Sequence, residues 1–351
     1  MPVSKRPTMK DVARAAGVSH MTVSRVVSGE AGVLPDTAAR VTEAVRKLGY
    51  QRNEMARHLR KKGQTTGTIG LVLDDLANIF WSALARAVED EAMRRGYLVL
   101  VGSTNDDRRR ERAVVSAFCD RRVDGLIVVP VAGSQRFLKT QMAMGTRVVC
   151  VDRPADGLDV DVVVVDNRGG ARGAVRHLLE RGHRRIGFVG DRTDIWTAEE
   201  RYAGYVDALA EVGDSPDPTY IRRGIRTSAL ARASVRELMR LPTPPTAVFT
   251  GNNVLTIGAI GALGDADGRH ALVGFDDFPL ADRLAPPVTV VTQDPAALGA
   301  TAMIDVSDGL AAVPACAGPL GARRRLRRVP GCAGSPQGFQ TAEPVPPTNP
   351  P

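Results

Sequence analysis

Residues 8–60 read TMKDVARAAGVSHMTVSRVVSGEAGVLPDTAARVTEAVRKLGYQRNEMARHLR, and this stretch decides how the N-terminal part of the chain folds. Its first half predicts two short helices, residues 9–16 and 20–28, separated by a tight turn at Gly17. A third helix is expected to begin at Pro35, because proline is favoured at the first helical position. Apolar residues recur at helical spacing through all three segments, so they can share one small core. A helix, a glycine-containing turn and a second helix form the helix-turn-helix pattern.

The second helix of such a motif enters the DNA major groove with its N-terminal residues. In this chain these residues are Ser19, His20, Met21 and Thr22, and Arg25 follows one turn later. An arginine can grip a guanine edge through two hydrogen bonds. The pattern alone leaves open the alternative of a small helical bundle that merely exposes a polar face.

The distribution of charge favours nucleic-acid binding. Residues 1–62 hold 13 Lys or Arg against 5 Asp or Glu, which accounts for the whole net charge of +8. The other 289 residues carry 34 charges of each sign. A basic excess confined to one small module suits phosphate contact with counterion release.

Beyond residue 68, short apolar runs alternate with helical patterns, which predicts an α/β architecture with parallel sheets covered by helices. The alternation restarts near residue 161, so we expect two open parallel sheets in two lobes with a cleft between them. The predicted boundaries are 1–52 for an all-α headpiece, 53–67 for a hinge helix and linker, 68–160 plus 293–300 for lobe 1, and 161–292 for lobe 2. Residues 301–351 are rich in Pro, Gly and Arg, and we expect a disordered tail there.

Polar residues follow the predicted strands, where ligands bind in open α/β sheets. They are Asp74, Asp75, Asn78, Asp152, Arg153, Asp166, Asn167, Asn252, Asn253, Asp276, Asp277, Gln293 and Asp294. Planar amides, carboxylates and a guanidinium suit the vicinal hydroxyls of a polyol or sugar. The alternative role for each of these residues is that of a polar group at a loop tip or a helix cap, and we assign only that role to Asp166, Asp277 and Asp294.

The sequence has no HExxH, GxSxG, Walker-loop or zinc-finger pattern. Its four cysteines lack metal-ligand spacing. There is no apolar run of about 18 residues and no secretory signal at the start. We therefore expect a cytoplasmic protein that is not an enzyme, carries no cofactor or metal, and does not interact with a membrane.

The segments VARAAGVSHMTVSRVVSG (residues 12–29) and LGYQRNEMARHLR (residues 48–60) resemble the headpiece and hinge of the lactose/galactose repressor (LacI/GalR) family. The resemblance implies that His20, Met21 and Arg25 read base edges. The residues that it places near phosphates are Thr8, Ser19, Thr22, Ser24, Thr37 and Asn53. It also implies that residues 53–60 form a hinge helix on DNA, with Leu59 wedged between base pairs beside Ala56.

The segments IGLVLDDLANIFW, RRVDGLIVVP and ALVGFDD, among others, resemble the effector-binding core of the same family, whose fold is similar to that of periplasmic sugar-binding proteins. The resemblance implies that Arg201, Asn252 and Asp276 bind a small-molecule effector. Phe80 or Trp81, Asp152 and Gln293 are the residues that it places along the cleft. The resemblance fades after about residue 300, and a frameshift in the gene near Met303 is one hypothesis for the unusual tail.

Together these features predict a homodimeric transcriptional regulator, most simply a repressor, that binds near-palindromic double-stranded operator DNA. Its operator affinity would be controlled by a sugar-like effector. A solute-binding protein of a transport system is the first alternative, although the basic headpiece and the missing export signal argue against it. An enzyme built on the same α/β core is the second. Headpiece chemistry does not set the sign of regulation, so activation remains open at this stage.

Overall fold

The computed structural model describes residues 7–50, 66–264, 270–311, 326–328 and 339–340. The chain divides into two compact units, Met1–Thr66 and Gly67–Pro351. The described part of the first unit, residues 7–50 and 66, contains three helices, α1 (Met9–Ala16), α2 (His20–Val27) and α3 (Pro35–Leu48). The three predicted helices of the headpiece are therefore confirmed to within one residue.

Local signals explain where the headpiece helices begin and end. The Asp11 carboxylate accepts hydrogen bonds from the Thr8 backbone N–H at 2.8 Å and from its hydroxyl at 2.6 Å. The Ser19 hydroxyl accepts the backbone N–H of Thr22 at 3.1 Å, which caps α2. Gly17 ends α1 with a φ of +62°, a left-handed conformation that costs glycine little. The small shared core is centred on the fully buried side chains of Val12, Val23 and Val41.

The second unit contains two lobes, each built on a six-stranded sheet. Lobe 1 consists of β1 (Thr68–Leu73), α4 (Ile79–Arg94), β2 (Leu98–Ser103), α5 (Arg108–Asp120), β3 (Gly125–Val128), α6 (Leu138–Ala143), β4 (Arg147–Val151), β5 (Asp161–Val164), α11 (Pro295–Ala311) and β11 (Leu326–Arg328). Lobe 2 consists of α7 (Asn167–Glu180), β6 (Ile186–Val189), α8 (Trp196–Ala210), β7 (Ile221–Arg222), α9 (Ser228–Met239), β8 (Ala247–Thr250), α10 (Asn253–Leu263), β9 (Ala271–Phe275), β10 (Thr289–Val291) and β12 (Phe339–Gln340).

The two sheets have equivalent strand orders and differ only in the direction of the last edge strand. Their strand orders are β11-β5-β4-β3-β1-β2 and β12-β10-β9-β8-β6-β7. All neighbours are parallel except β10 and β12. The two predicted parallel sheets are thus confirmed. Within the described residues, no helix is both long enough and apolar enough to cross a bilayer.

One lobe assignment made from the sequence is wrong. We expected the second lobe to begin at residue 161, but β5 pairs in parallel with β4 and completes the sheet of lobe 1. The connection between β4 and β5 contains no helix, so the alternation of strand and helix did not mark β5 as part of the first sheet. The short strand β7, which was not predicted, forms the edge of the lobe 2 sheet.

The predicted start of a disordered tail at residue 301 is also wrong. The helix α11 continues to Ala311 and packs against α4 and the lobe 1 strands. Ala302, Met303 and Val306 are fully buried in this contact. Met303 therefore does not mark a break in the folded core. Beyond this helix, β11 and β12 add one strand to each sheet.

The burial of Met303 leads to a stability prediction. Met303→Ala should lower the free energy of unfolding of the core unit by about 2–5 kcal/mol, because it leaves a cavity between α11 and the lobe 1 sheet. Both tryptophans, Trp81 and Trp196, lie in this unit, so tryptophan fluorescence during chemical denaturation reports its unfolding. Met144→Ala is the matched control, since that side chain is 67% exposed. An equal effect of the two substitutions would contradict a packed α11.

Candidate functional site

The headpiece exposes most of the side chains that we expected to face DNA. His20, Met21 and Arg25 are exposed on α2, with Met21 72% accessible although it is apolar. The Arg25 guanidinium lies 3.9 Å from Glu30, both side chains being more than half exposed. An exposed helix face that combines an imidazole, a thioether and a guanidinium can meet both polar and methyl groups of base edges.

The side chains that we expected near phosphates differ in their exposure. Thr22, Ser24 and Thr37 are half-buried, whereas Thr8 and Ser19 are exposed. The hydroxyls of Thr8 and Ser19 take part in the caps of α1 and α2. Asn53, the remaining predicted phosphate contact, lies outside the described residues, and so do Ala56 and Leu59, which were predicted to meet the minor groove.

The second candidate site is a cleft of about 140 Å³ between the two lobes, at the C-terminal ends of the strands. All seven residues that we expected to meet an effector line it: Phe80, Trp81, Asp152, Arg201, Asn252, Asp276 and Gln293. The Phe80 and Trp81 rings meet edge to face, with centroids 4.8 Å apart, and both are largely buried. They therefore contribute to the lobe 1 core and also form part of the cleft wall.

A buried arginine on α8 organises the lobe 2 side of the cleft. Arg201 donates through Nε to Asn167 Oδ1 at 2.8 Å and through Nη1 to the Gly251 carbonyl at 2.6 Å. Its Nη1 also lies 3.4 Å from Asp276 Oδ2, and the guanidinium stacks 3.9 Å from the centroid of the Phe275 ring. These contacts orient the guanidinium and partly neutralise it inside the protein.

Close packing of α7 and α8 brings Arg201 near Asn167. At Gly204, a Cβ atom would lie 2.3 Å from the Arg168 carbonyl on α7. Only glycine allows the two helices to approach this closely without a shift of the backbone. One turn of helix separates Gly204 from Arg201, so this contact also sets the depth at which the guanidinium enters the cleft.

Lobe 1 has a related aspartate–arginine pair, whose two residues are adjacent in the chain. Asp152 follows β4 as Asp276 follows β9, and both have left-handed backbones with φ of +72° and +67°. Each donates its backbone N–H to the adjacent strand at 2.9 Å, Asp152 to Val163 and Asp276 to Val291. Asp152 is paired with Arg153, whose Nε donates to Oδ2 at 2.8 Å. The two lobes thus present equivalent buried carboxylates to one cleft.

Burial dominates the electrostatics of three aspartates in the lining. It raises the pKa of Asp276 although Arg201 and Gln293 favour the ionised form. Burial also raises the pKa of Asp74 and of Asp191, against the opposing pull of Arg226 and other nearby donors. For all three carboxylates, desolvation outweighs the opposing effect of the nearby positive groups and hydrogen bonds.

The structure brings into the cleft several residues that we did not single out. Asp191 and Arg226 were missed, and Arg153 was noted only as a residue after a strand. Asp191 comes soon after β6, so the rule about polar residues beyond strand ends could have found it. Arg226 lies in the loop before α9, and no sequence pattern marks that position.

The three aspartates that we assigned to loop tips or helix caps make local contacts. Asp166 accepts the Gly169 N–H at the start of α7, and Asp294 accepts the Ala297 N–H at the start of α11, so both are caps. Asp277 caps no helix: it lies in the loop after β9 and accepts the N–H of the next residue. Asn252 both caps α10, through the Leu255 N–H, and lines the cleft.

Direct contacts join the two lobes across the cleft. Asn78 and Asn253 exchange two amide hydrogen bonds, at 3.0 and 3.1 Å. Asp106 of lobe 1 accepts on one carboxylate oxygen from Arg192 at 2.7 Å and from Arg226, both of lobe 2. The Asp106 side chain is only 3% exposed, so these contacts are shielded from water. Trp196, at the start of α8, packs against an apolar cluster of lobe 1.

Metal binding has no support in the described parts of the chain. Among them, no three His, Cys, Asp or Glu side chains are grouped as ligands of a metal ion.

Comparison with known proteins matches both units of the chain. Residues 8–53 match the family described as bacterial regulatory proteins, lacI family, and residues 66–301 match the periplasmic binding proteins and sugar binding domain of the LacI family. The Escherichia coli transcriptional repressor CytR is 32% identical over 312 residues, which cover 86% of this chain and 89% of that protein. The regulator GalS of Salmonella typhimurium is 36% identical over 288 residues, covering 81% and 84%.

The solved structure of the Lac repressor dimer bound to operator and the anti-inducer ONPF has a TM-score of 0.79 and 25% identity. The match covers 92% of this chain and 97% of that one. These relatives are transcriptional regulators, so the alternative of a transport protein is not supported. The chain belongs to the LacI family of DNA-binding bacterial regulatory proteins.

Proposed function

We propose that this protein is an operator-binding repressor whose DNA affinity is controlled by a small, hydroxyl-rich effector held between the two lobes. The observation that carries the proposal is the buried network of Arg201, Asn167, Asp276 and Gln293 at the cleft. It presents oriented donors and acceptors inside a cavity that both lobes line. Such a preorganised polar wall suits recognition of a ligand that offers several hydroxyls.

The DNA-reading surface that we propose is the exposed face of α2. His20, Met21 and Arg25 would meet base edges, while Thr8, Ser19, Thr22, Ser24 and Thr37 would lie near phosphates. Asn53 would add a phosphate contact, and Leu59 would insert between base pairs in the minor groove beside Ala56. Two headpieces in a homodimer would meet the two halves of a near-palindromic operator.

The effector that we propose is sugar-like. The cellobiose complex of the regulator CelR, at 28% identity and a TM-score of 0.64, shows a sugar held by a structurally similar regulator. In this chain, Arg201 and Asp276 would bracket vicinal hydroxyls, and Asn252 and Gln293 would supply amide groups. The Trp81 indole face would pack against the C–H surface of the ring, and Phe80 and Asp152 would complete the lining.

The link between the two sites that we propose is lobe closure. An effector that bridges the lobes changes the equilibrium between open and closed clefts only if it binds the two states differently. Closure would alter the approach of the two hinge segments in a dimer and thereby their folding on DNA. The expected coupling free energy is about 1–3 kcal/mol, which is about 5- to 150-fold in operator affinity.

A binding role, rather than a catalytic one, is proposed for the cleft carboxylates. Asp152 and Asp276 contact arginines, and Asp75 accepts the Ala77 N–H, so each of them serves a local structural contact. An operator-binding protein acts where the chromosome lies, and we therefore propose a bacterial cytoplasmic location.

The DNA-reading face can be tested with Arg25→Ala. After the operator has been selected from random double-stranded DNA, this variant should bind it about 5- to 150-fold more weakly, because a base contact is lost. Fluorescence anisotropy at one salt concentration measures the affinity. Arg46→Ala is the control, since it removes the same charge from an exposed site on α3 that is paired with Glu43. Equal losses in the two variants would indicate a general charge effect and contradict base reading by Arg25.

The effector site can be tested with Arg201→Ala and Arg201→Lys. The full-length protein is first titrated with ribose, glucose, galactose, cellobiose and adenosine to find the compound that changes operator affinity. Both variants should then bind operator normally but lose at least about 10-fold in effector affinity, because lysine keeps the charge and not the planar fork. Isothermal titration measures effector binding. A normal titration curve for either variant would remove Arg201 from the binding role.

The inter-lobe contacts can be tested with Asp106→Asn. Loss of this charge should weaken closure, because Arg192 and Arg226 then face a neutral amide across the cleft. Hydrogen exchange of the full chain should show faster exchange in the loops around residues 106, 192 and 226. Asp194→Asn is the control: Asp194 also accepts from Arg192, at 2.8 Å, but it belongs to the same lobe. Unchanged exchange in Asp106→Asn would show that this contact does not hold the lobes together.

A further inference from the structure

We infer that the effector of this protein carries no net negative charge, so that neutral polyols and amines are accepted while phosphate esters and carboxylic acids are rejected. This inference rests on the proposed function, because it concerns the ligand of the same cleft. It narrows the effector class by charge, which the family relationship does not do.

The arginines in the cleft lining already have protein partners. Three arginines line it, and each contacts an aspartate: Arg153 with Asp152, Arg201 with Asp276, and Arg226 with Asp106. Arg226 also lies 3.6 Å from Asp74, so it is shared between two carboxylates. An anionic ligand would have to compete with these aspartates for every guanidinium that it could reach.

The carboxylates outnumber these cations. Five aspartates line the cleft, namely Asp74, Asp75, Asp152, Asp191 and Asp276, against the three arginines. The lining thus carries a formal excess of two negative charges. Asp106 and Arg192, at the inter-lobe contact, cancel each other and leave this excess unchanged. A further anion placed among these groups would meet like charges at short range in a partly desolvated space.

Two buried acceptor atoms in the lining lack donors. Asp74 Oδ1 and Gln293 Oε1 accept no hydrogen bond from any residue that the structure describes. The two belong to opposite sides of the binding region, since Asp74 follows β1 and Gln293 follows β10. A buried acceptor without a donor is costly, and a ligand hydroxyl or ammonium group would relieve that cost. A phosphate or carboxylate has no N–H or O–H to offer when it is ionised.

The electrostatic surroundings of three cleft aspartates agree with this inference. The pKa values of Asp74, Asp191 and Asp276 are raised because desolvation outweighs the arginines around them. A donor or a cation from the ligand would lower these pKa values again. A second anion would raise them further and oppose its own binding.

The direct test compares compounds with one skeleton and different charge. Glucose, glucosamine and glucose 6-phosphate form one set, and ribose with ribose 5-phosphate forms another. Isothermal titration of the full-length protein should show that the phosphate ester binds at least about 100-fold more weakly than its neutral or amine counterpart, because like charges meet in the cleft. A phosphate ester that binds as tightly as its neutral parent, or more tightly, would overturn the inference.

The excess negative charge of the cleft can be tested by substitution even when no compound in these sets binds. Asp74→Asn removes one negative charge from the unliganded cleft, so it should raise the thermal midpoint by about 2 °C or more. Asp107→Asn is the matched control, because it removes the same charge from an exposed site: the Asp107 carboxylate caps α5 through the Arg109 and Arg110 N–H groups, at 2.7 and 2.9 Å. Asparagine caps a helix about as well as aspartate, so that variant should leave the midpoint nearly unchanged. If Asp74→Asn does not raise the midpoint above that of Asp107→Asn, the cleft has no uncompensated negative charge and the inference fails.

The two proposals can fail separately. A neutral compound that binds in the cleft without changing operator affinity would defeat the proposed function and leave the charge inference standing. A sugar phosphate that binds tightly and changes operator affinity would do the reverse.

Discussion

The core unit depends on how the Arg201 guanidinium is accommodated inside the protein. A cation removed from water is tolerated only when acceptors replace its hydration shell. Here the acceptors come from Asn167 at the start of α7, the Gly251 carbonyl after β8 and Asp276 after β9. The arginine itself comes from α8, and Phe275 supports its plane. One side chain therefore holds four elements of lobe 2 in register, and the wall of the cleft is built before any ligand arrives.

The lobe interiors and the contacts between the lobes differ in character. Inside each lobe, strands such as β3 and β8 are buried along their whole length. Between the lobes, the Asn78–Asn253 amide pair and the Asp106 ion pairs supply polar contacts, and the Asp106 carboxylate is shielded from water. Apolar contacts join the lobes as well, because Trp196 packs against a lobe 1 cluster and one buried cluster contains residues of both lobes. A ligand that bridges the cleft shifts the balance between open and closed lobes only by its difference in affinity for the two states.

Much of the fold could be predicted because its signals are local. Helical periodicity, the Ser19 cap and Gly17 placed the headpiece helices to within one residue. Most strands of the two sheets were located from short apolar runs, but β7, β11 and β12 were not. Of the seven effector candidates that line the cleft, Asp152, Asn252, Asp276 and Gln293 were marked by their positions after strands. Phe80, Trp81 and Arg201 came from the family resemblance. The errors concerned which elements pack together. β5 was placed in the wrong lobe, and residues 301–311 of α11 were assigned to a disordered tail because only their composition was considered.

The sequence by itself determined the elements, the segregation of positive charge at the N-terminus and the chemistry available at the strand ends. Each of these depends on residues close together in the chain, where periodicity and side-chain chemistry act directly. Only the tertiary structure decided which charges neutralise one another. Asp106 and Arg226 stand 120 positions apart and meet because strand order brings β2 opposite the loop before α9. The balance of charge in the cleft arises from such long-range pairs, and no local pattern encodes it.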